Sequence, residues 1–188
     1  MKLILASGSP RRQELLRLYT REFAVCASEF DERAVRAPTP AALAGALARG
    51  KCLAVAASHP DCVVVGSDTV VELDGEVFGK PKDADDARRM LRALSGRTHQ
   101  VHTGVCVSDG ARTESFVDTC KVTFFPIPEA ELERCIASGE PFDKAGAYAI
   151  QGRAALWLDR LEGDYYTIMG LPVSRTARLL DRFNLEKR

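Results

Sequence analysis

Apolar residues fall along this chain in three patterns: short solid runs, strict alternation, and recurrence every three to four positions. That mixture predicts strands interleaved with helices. Lys2 to Ala6 reads as a short buried strand, which Ser7-Gly8-Ser9-Pro10 turns into a helix from Pro10 to about Tyr19, with Ser9 as N-cap and proline at its first position. Phe23 to Ser28 is strand-like and leads through Glu29-Phe30-Asp31-Glu32 to a proline-bounded loop. Pro40 to Ala57 is an alanine-rich helix whose stripe is Leu43, Leu47, Lys51 and Val55. Cys62 to Val65 suits a central strand, and Val70 to Val77 a hairpin about Asp74-Gly75, with Gly66-Ser67-Asp68-Thr69 between them. Asp83 caps a helix through Met90 and Leu94 that stops at Gly96. Val101 to Val107 and Ser115 to Phe125 alternate around a turn at Asp109-Gly110, and Pro128 to Ser138 is helical. A glycine-containing loop runs from Pro141 to Gly152. A hairpin of Ala154 to Leu161 and Tyr165 to Met169 follows, and the last helix runs from Pro172 to about Phe183.

Strands and helices mix without strict alternation. The expected fold is therefore α/β with a mixed, twisted sheet and flanking helices rather than a regular doubly wound one. At 188 residues the chain suits a single domain, 1–188, as one compact unit with two lobes about a cleft.

Charge and cysteine usage narrow the function. Lysine plus arginine and aspartate plus glutamate both number 26, so no net basic field exists to gather DNA or RNA. No stretch approaches the ~20 apolar residues of a membrane span, and the N-terminal run is too short for a signal peptide. Six cysteines, without a CxxC pair or zinc spacing, read as free thiols of a reducing, cytoplasmic setting. Walker, GxGxxG, GxSxG and HExxH patterns are absent.

Five features carry candidate chemistry. Arg11 and Arg12 stand in the opening turn of a helix, where the macrodipole disfavours cations; either they point into water or an anion sits there. Asp68 interrupts an apolar run and needs a metal, a cation or hydrogen-bond donors, unless it is a turn residue bonding its own backbone. Lys51 lies on the apolar stripe of its helix, where it either snorkels or joins Lys80, Lys82 and the two arginines around a polyphosphate. Asp31-Glu32 offers oxygen ligands for a hard cation beside Asp68 or is merely solvated. The Gln151 amide suits a base edge, or ties down its own loop. His99 and His102, three apart on a strand, face opposite sides and share no metal.

In this order and spacing several segments together resemble the Maf family of septum-formation inhibitor-like proteins. They include Leu5 to Arg12, Asp31-Glu32, Lys51, Gly66 to Val71, Gly79-Lys80-Pro81-Lys82-Asp83, Leu94 to His99, Asp143 to Tyr148, Ile150-Gln151-Gly152 and Gly170-Leu171-Pro172. The resemblance implies a fold akin to the inosine triphosphate pyrophosphatases, often a homodimer, with a nucleoside triphosphate in a deep cleft between two lobes. It implies cleavage to the monophosphate and pyrophosphate with a divalent cation, Mg2+ or Mn2+. By position it makes Asp68 the catalytic aspartate and, with Glu32, a metal ligand, and it makes Ser7, Arg11, Arg12, Lys51, Lys80 and Lys82 phosphate contacts. The triplet Arg11, Thr69 and Gln151 resembles the branch acting on dTTP and UTP rather than that acting on 7-methyl-GTP. Ala149, where glycine is common, departs from the pattern. Two rival readings are a nucleotide-binding regulator of septation without turnover and an inosine or xanthosine triphosphate pyrophosphatase.

Overall fold

The computed structural model describes residues 1–185. Its centre is a seven-stranded mixed sheet in the order β2-β1-β3-β5-β6-β7, with β4 paired to β3 alone. The strands are β1 (Lys2–Leu5), β2 (Ala24–Val25), β3 (Cys62–Leu73), β4 (Glu76–Phe78), β5 (Thr98–Ser108), β6 (Thr113–Phe124) and β7 (Leu158–Glu162). The helices are α1 (Pro10–Leu16), α2 (Pro40–Ala56), α3 (Ala84–Leu94), α4 (Glu129–Ala137), α5 (Tyr165–Met169) and α6 (Val173–Leu180). The expected α/β class with a mixed sheet and flanking helices is what the chain forms.

The main correction concerns β3. Gly66 to Thr69, expected as a connection between a strand and a hairpin, lies inside one continuous twelve-residue strand. Gly66 is there because α2 crosses the sheet at very short range. A Cβ on Gly66 would come within 2.6 Å of the Ala48 carbonyl oxygen, and one on Gly104 within 2.3 Å of that of Ala44. A glycine inside a strand marks such close backbone approach as readily as a break.

Both neighbours of β3 on its outer side are partial. β1 pairs in parallel with Cys62 to Val65, and β4 pairs antiparallel with Val71 to Leu73. Gly66 to Val70 are flanked by no described strand on that side, while β5 pairs them throughout on the other. The sheet therefore has a gap. Its two banks are α1 after β1 and the 79–82 loop after β4.

Smaller differences have local causes. α1 ends at Leu16, earlier than expected, and the Ser9 side chain makes no capping bond. The Phe23 to Ser28 segment keeps only two strand residues at the sheet edge. The hairpin after the 141–152 loop does not form: Arg153–Leu156 is a 3-10 turn and β7 pairs with β6. Tyr165–Met169 is helical in spite of its high strand propensity, because the Asp164 side chain accepts from Tyr166 N–H and Gly170 closes the helix in the left-handed region. Tertiary context outweighs β-propensity in so short a segment. All six cysteines are free thiols, and no described helix is long and apolar enough to cross a membrane.

Candidate active site

The gap in the sheet opens into a cleft of about 890 Å3. Successive strand residues point to opposite faces, so Asp68 and Thr69 reach this cleft from opposite sides of the free edge of β3. Asp68 emerges toward α2, and Thr69 toward α5.

On the α2 side a charged triad forms. Lys51 Nζ lies 2.5 Å from Asp68 Oδ1 and 2.9 Å from Glu32 Oε1. The side chains of Lys51 and Asp68 are 14% and 13% exposed, that of Glu32 52%. Two carboxylates so placed converge on one point, which the ammonium occupies. Lys51 owes its position to the close approach of α2. Glu32 owes its position to Phe30, whose ring rests on Gly50, where a Cβ would meet it at 2.3 Å. The adjacent Asp31 serves the backbone instead, since its Oδ1 accepts from Arg33 N–H and caps the 32–34 turn.

On the other side, Arg12 is half-buried in the cleft wall. Its Nε donates to the Gly170 carbonyl at 3.0 Å, Nη1 to Ser7 Oγ at 3.2 Å and Nη2 to Thr69 Oγ1 at 3.3 Å. Burial lowers its pKa, Arg11 adds to this, and Asp68 and Glu32 oppose it. Of five guanidinium N–H donors, two remain. Ser7 does not line the cleft. Its hydroxyl holds Arg12 and accepts from Ser9 N–H, so its geometry is that of a positioning group.

Arg11, Lys80 and Lys82 line the same cleft, and their side chains form no ion pair or hydrogen bond with any described residue. Gln151 is exposed at the rim and its amide bonds to no described residue. Its loop is tied down by Glu140 instead, whose carboxylate accepts from Arg153 N–H and packs where a Cβ on Gly152 would stand. Of the expected site residues the cleft thus gathers Asp68, Glu32, Lys51, Arg11, Arg12, Thr69, Lys80, Lys82 and Gln151, with Ser7 one layer behind.

Sequence reasoning passed over the parts that hold these groups: Gly66 and Gly104 beneath α2, Phe30 on Gly50, the Gly170 carbonyl, and Thr103. Isolated glycines inside strand patterns were the available signal. His99 and His102 serve elsewhere. His99 Nε2 meets Tyr148 Oη at 2.8 Å, and His102 bonds Thr119 and Glu72. Among the described residues no group of three or more His, Cys, Asp or Glu side chains is placed to hold a metal by itself.

The sequence profile of the Maf-like protein family matches residues 2–183. A protein of Bacillus velezensis named dTTP/UTP pyrophosphatase is 48% identical over 185 residues, 98% of either chain. One of the same name from Bacillus cytotoxicus is 46% identical over 183 residues, 97% of this chain and 96% of the other. Among solved structures, the Staphylococcus aureus Ham1 protein superposes with a TM-score of 0.57 at 14% identity, over 97% of this chain and 99% of its own. A HAM1 protein of Coxiella burnetii does so with 0.53 at 12% identity, over 97% and 100%. These two likenesses concern the fold, while the profile and the near-half identity over the full length concern descent: the chain belongs to the Maf-like protein family.

Proposed function

We propose that this protein is a metal-dependent nucleoside triphosphate pyrophosphatase of the cytoplasm that hydrolyses dTTP and UTP to the monophosphate and pyrophosphate. Its relatives carry that activity in their name. The observation that carries the reading is the convergence of Asp68 and Glu32 on one point in a cleft that Arg11, Lys80 and Lys82 also line without an ion pair to any described residue.

The donor set fits a divalent cation. Mg2+ is typically held by one or two carboxylates together with substrate phosphates and water, and Lys51 Nζ marks a place where positive charge is already satisfied by both carboxylates. Asp68 and Glu32 would hold the ion, which when bound supplies a more acidic water and neutralises phosphate charge. Asp68 accepts the proton of the attacking water at its carboxylate. Lys51, beside the same carboxylates, would offer its ammonium to a phosphate oxygen. Arg11, Lys80, Lys82 and the two spare N–H groups of Arg12 stabilise the charge that develops on departing pyrophosphate. Thr69 and Gln151 face the base. A pure triphosphate binder gains nothing from two carboxylates beside the phosphates, which disfavours a regulator without turnover.

The test is pyrophosphate release over a panel of standard and modified nucleoside triphosphates, with Mg2+ or with a chelator. Metal-dependent release from dTTP and UTP is expected. Background rates with every pyrimidine triphosphate would overturn the reading.

A further inference from the structure

Behind Thr69 runs a line of hydroxyls whose hydrogen-bond directions are determined by what each partner can do. Thr69 of β3 pairs in register with Thr103 of β5, and Thr103 with Asp118 of β6. Thr103 Oγ1 lies 2.7 Å from the Thr167 carbonyl oxygen. A carbonyl only accepts, so the single proton of Thr103 points there. Thr103 Oγ1 is also 2.9 Å from Thr69 Oγ1, and with its own proton committed it can only accept on that side. The Thr69 proton therefore points inward. The third contact, from Arg12 Nη2 at 3.3 Å, can only be a donation into a Thr69 lone pair. What Thr69 still offers is one lone pair. Thr103 and Thr167 are fully buried, so water does not relax this order.

We infer that Thr103 is a positioning residue for base selection: it draws the Thr69 proton away from the cleft and leaves Thr69 an obligatory acceptor toward the substrate. This rests on the proposed placement of the base against Thr69. An acceptor demands a donor. Uracil and thymine present an N–H at ring position 3, whereas cytosine presents there a bare nitrogen that faces the Thr69 lone pair without a proton between them. Leaving such a pair unmade costs on the order of tenfold or more in kcat/KM. If Thr69 could turn its proton outward, this discrimination would fade. Thr103 prevents it.

The test compares kcat/KM for UTP and CTP in wild type, Thr103→Val, Thr103→Ala and Thr103→Ser, with thermal melting alongside. Valine is nearly isosteric but accepts nothing, so the Thr69 proton is free to turn to cytosine. The UTP to CTP ratio is expected to fall about tenfold in the valine and alanine variants and to persist in the serine variant. A merely structural role would lower the melting temperature and both rates together and leave the ratio unchanged, which overturns the inference. Should neither the valine nor the alanine variant fold, the wild type decides. The triphosphate of pyrimidin-2-one riboside, which has a bare ring nitrogen and no exocyclic group at position 4, should be turned over at least about tenfold less well than UTP. Equal turnover contradicts an obligatory acceptor. No pyrophosphate release by wild type from any pyrimidine triphosphate removes the underlying reading, and the inference falls with it. Release with an unchanged ratio overturns the inference alone.

Discussion

The cations of the cleft divide into two kinds. Lys51 and Arg12 are bound internally, Lys51 between two carboxylates and Arg12 among a carbonyl and two hydroxyls. Arg11 and Lys80 have no such partners among the described residues. Their alanine variants should therefore behave differently. Arg11→Ala and Lys80→Ala should weaken turnover of triphosphates and keep the unfolding free energy within about 0.5 kcal/mol of wild type. Lys51→Ala leaves Asp68 and Glu32 repelling each other in a site where Asp68 is largely buried, and Arg12→Ala strips donors from Ser7, Thr69 and Gly170. Each should lower stability by about 1–3 kcal/mol, as urea unfolding would measure. Equal stability in all four variants would contradict this division.

At Asp68 the sharpest substitution is asparagine. The amide keeps the shape, and it can still accept from Lys51 Nζ, but it is a poor cation ligand and no base. Asp68→Asn should lose metal-dependent turnover by orders of magnitude while its melting temperature stays near wild type. Activity within a few fold of wild type would exclude Asp68 from the chemistry.

Among the elements, the site exists because β3 outlasts both of its outer neighbours and because α2 lies almost on its backbone. Gly104→Ala tests the second point. Its Cβ would come within 2.3 Å of the Ala44 carbonyl oxygen, and a helix backbone cannot step aside cheaply. A loss of about 1–3 kcal/mol or more is expected, together with reduced turnover, because Lys51 moves with the helix. Gly8→Ala, with no atom within 4 Å of the new Cβ, is the stability control. If both variants unfolded at the same urea concentration, close approach would not be what holds α2 in place.

Most elements were legible in the sequence wherever a period or a turn was strong. α3 showed a cap at Asp83 that the structure uses, and the Asp74-Gly75 turn has both residues at positive φ. What escaped was decided by contacts across the fold. Gly66 looked like punctuation because the helix that requires it starts 26 positions earlier, at Pro40. The 165–169 segment looked like a strand because nothing local reveals that β7 finds its partner in β6. Arg11, Arg12, Lys51 and Asp68 could be picked out because each stands where charge is costly in the sequence pattern, whereas Glu32, Lys80 and Lys82 joined them as companions. Thr103, a small polar residue in an alternating strand, gave no such signal.

Across the whole molecule the aromatic cluster that backs the Gln151 loop also sets its response to acid. His99, 2% exposed among Tyr148 and Phe124, has its pKa pushed down to about 4 by burial. The unfolded chain takes up this proton from about pH 6.5 downward and the folded protein only near 4, so the contribution to stability is fully present above pH 6.5. It is lost as the pH falls toward 4, by at most about 1.4 kcal/mol per pH unit and roughly 3 kcal/mol in all. Urea unfolding at pH 7.5 and pH 5 should show this decline in wild type, and less of it in His99→Phe. An equal decline in both would assign the acid sensitivity to other groups.

The molecule carries equal numbers of acidic and basic residues, so the anion affinity proposed for it is a property of the cleft rather than of the overall field. The decisive comparison is therefore made on the intact protein: kcat/KM for pyrophosphate release, in Mg2+, from dTTP, UTP, CTP, GTP and 7-methyl-GTP side by side. dTTP and UTP should lead, with CTP behind them by about tenfold or more and the two purine nucleotides lower still. Turnover of GTP or 7-methyl-GTP at least equal to that of dTTP would contradict the proposed base selection.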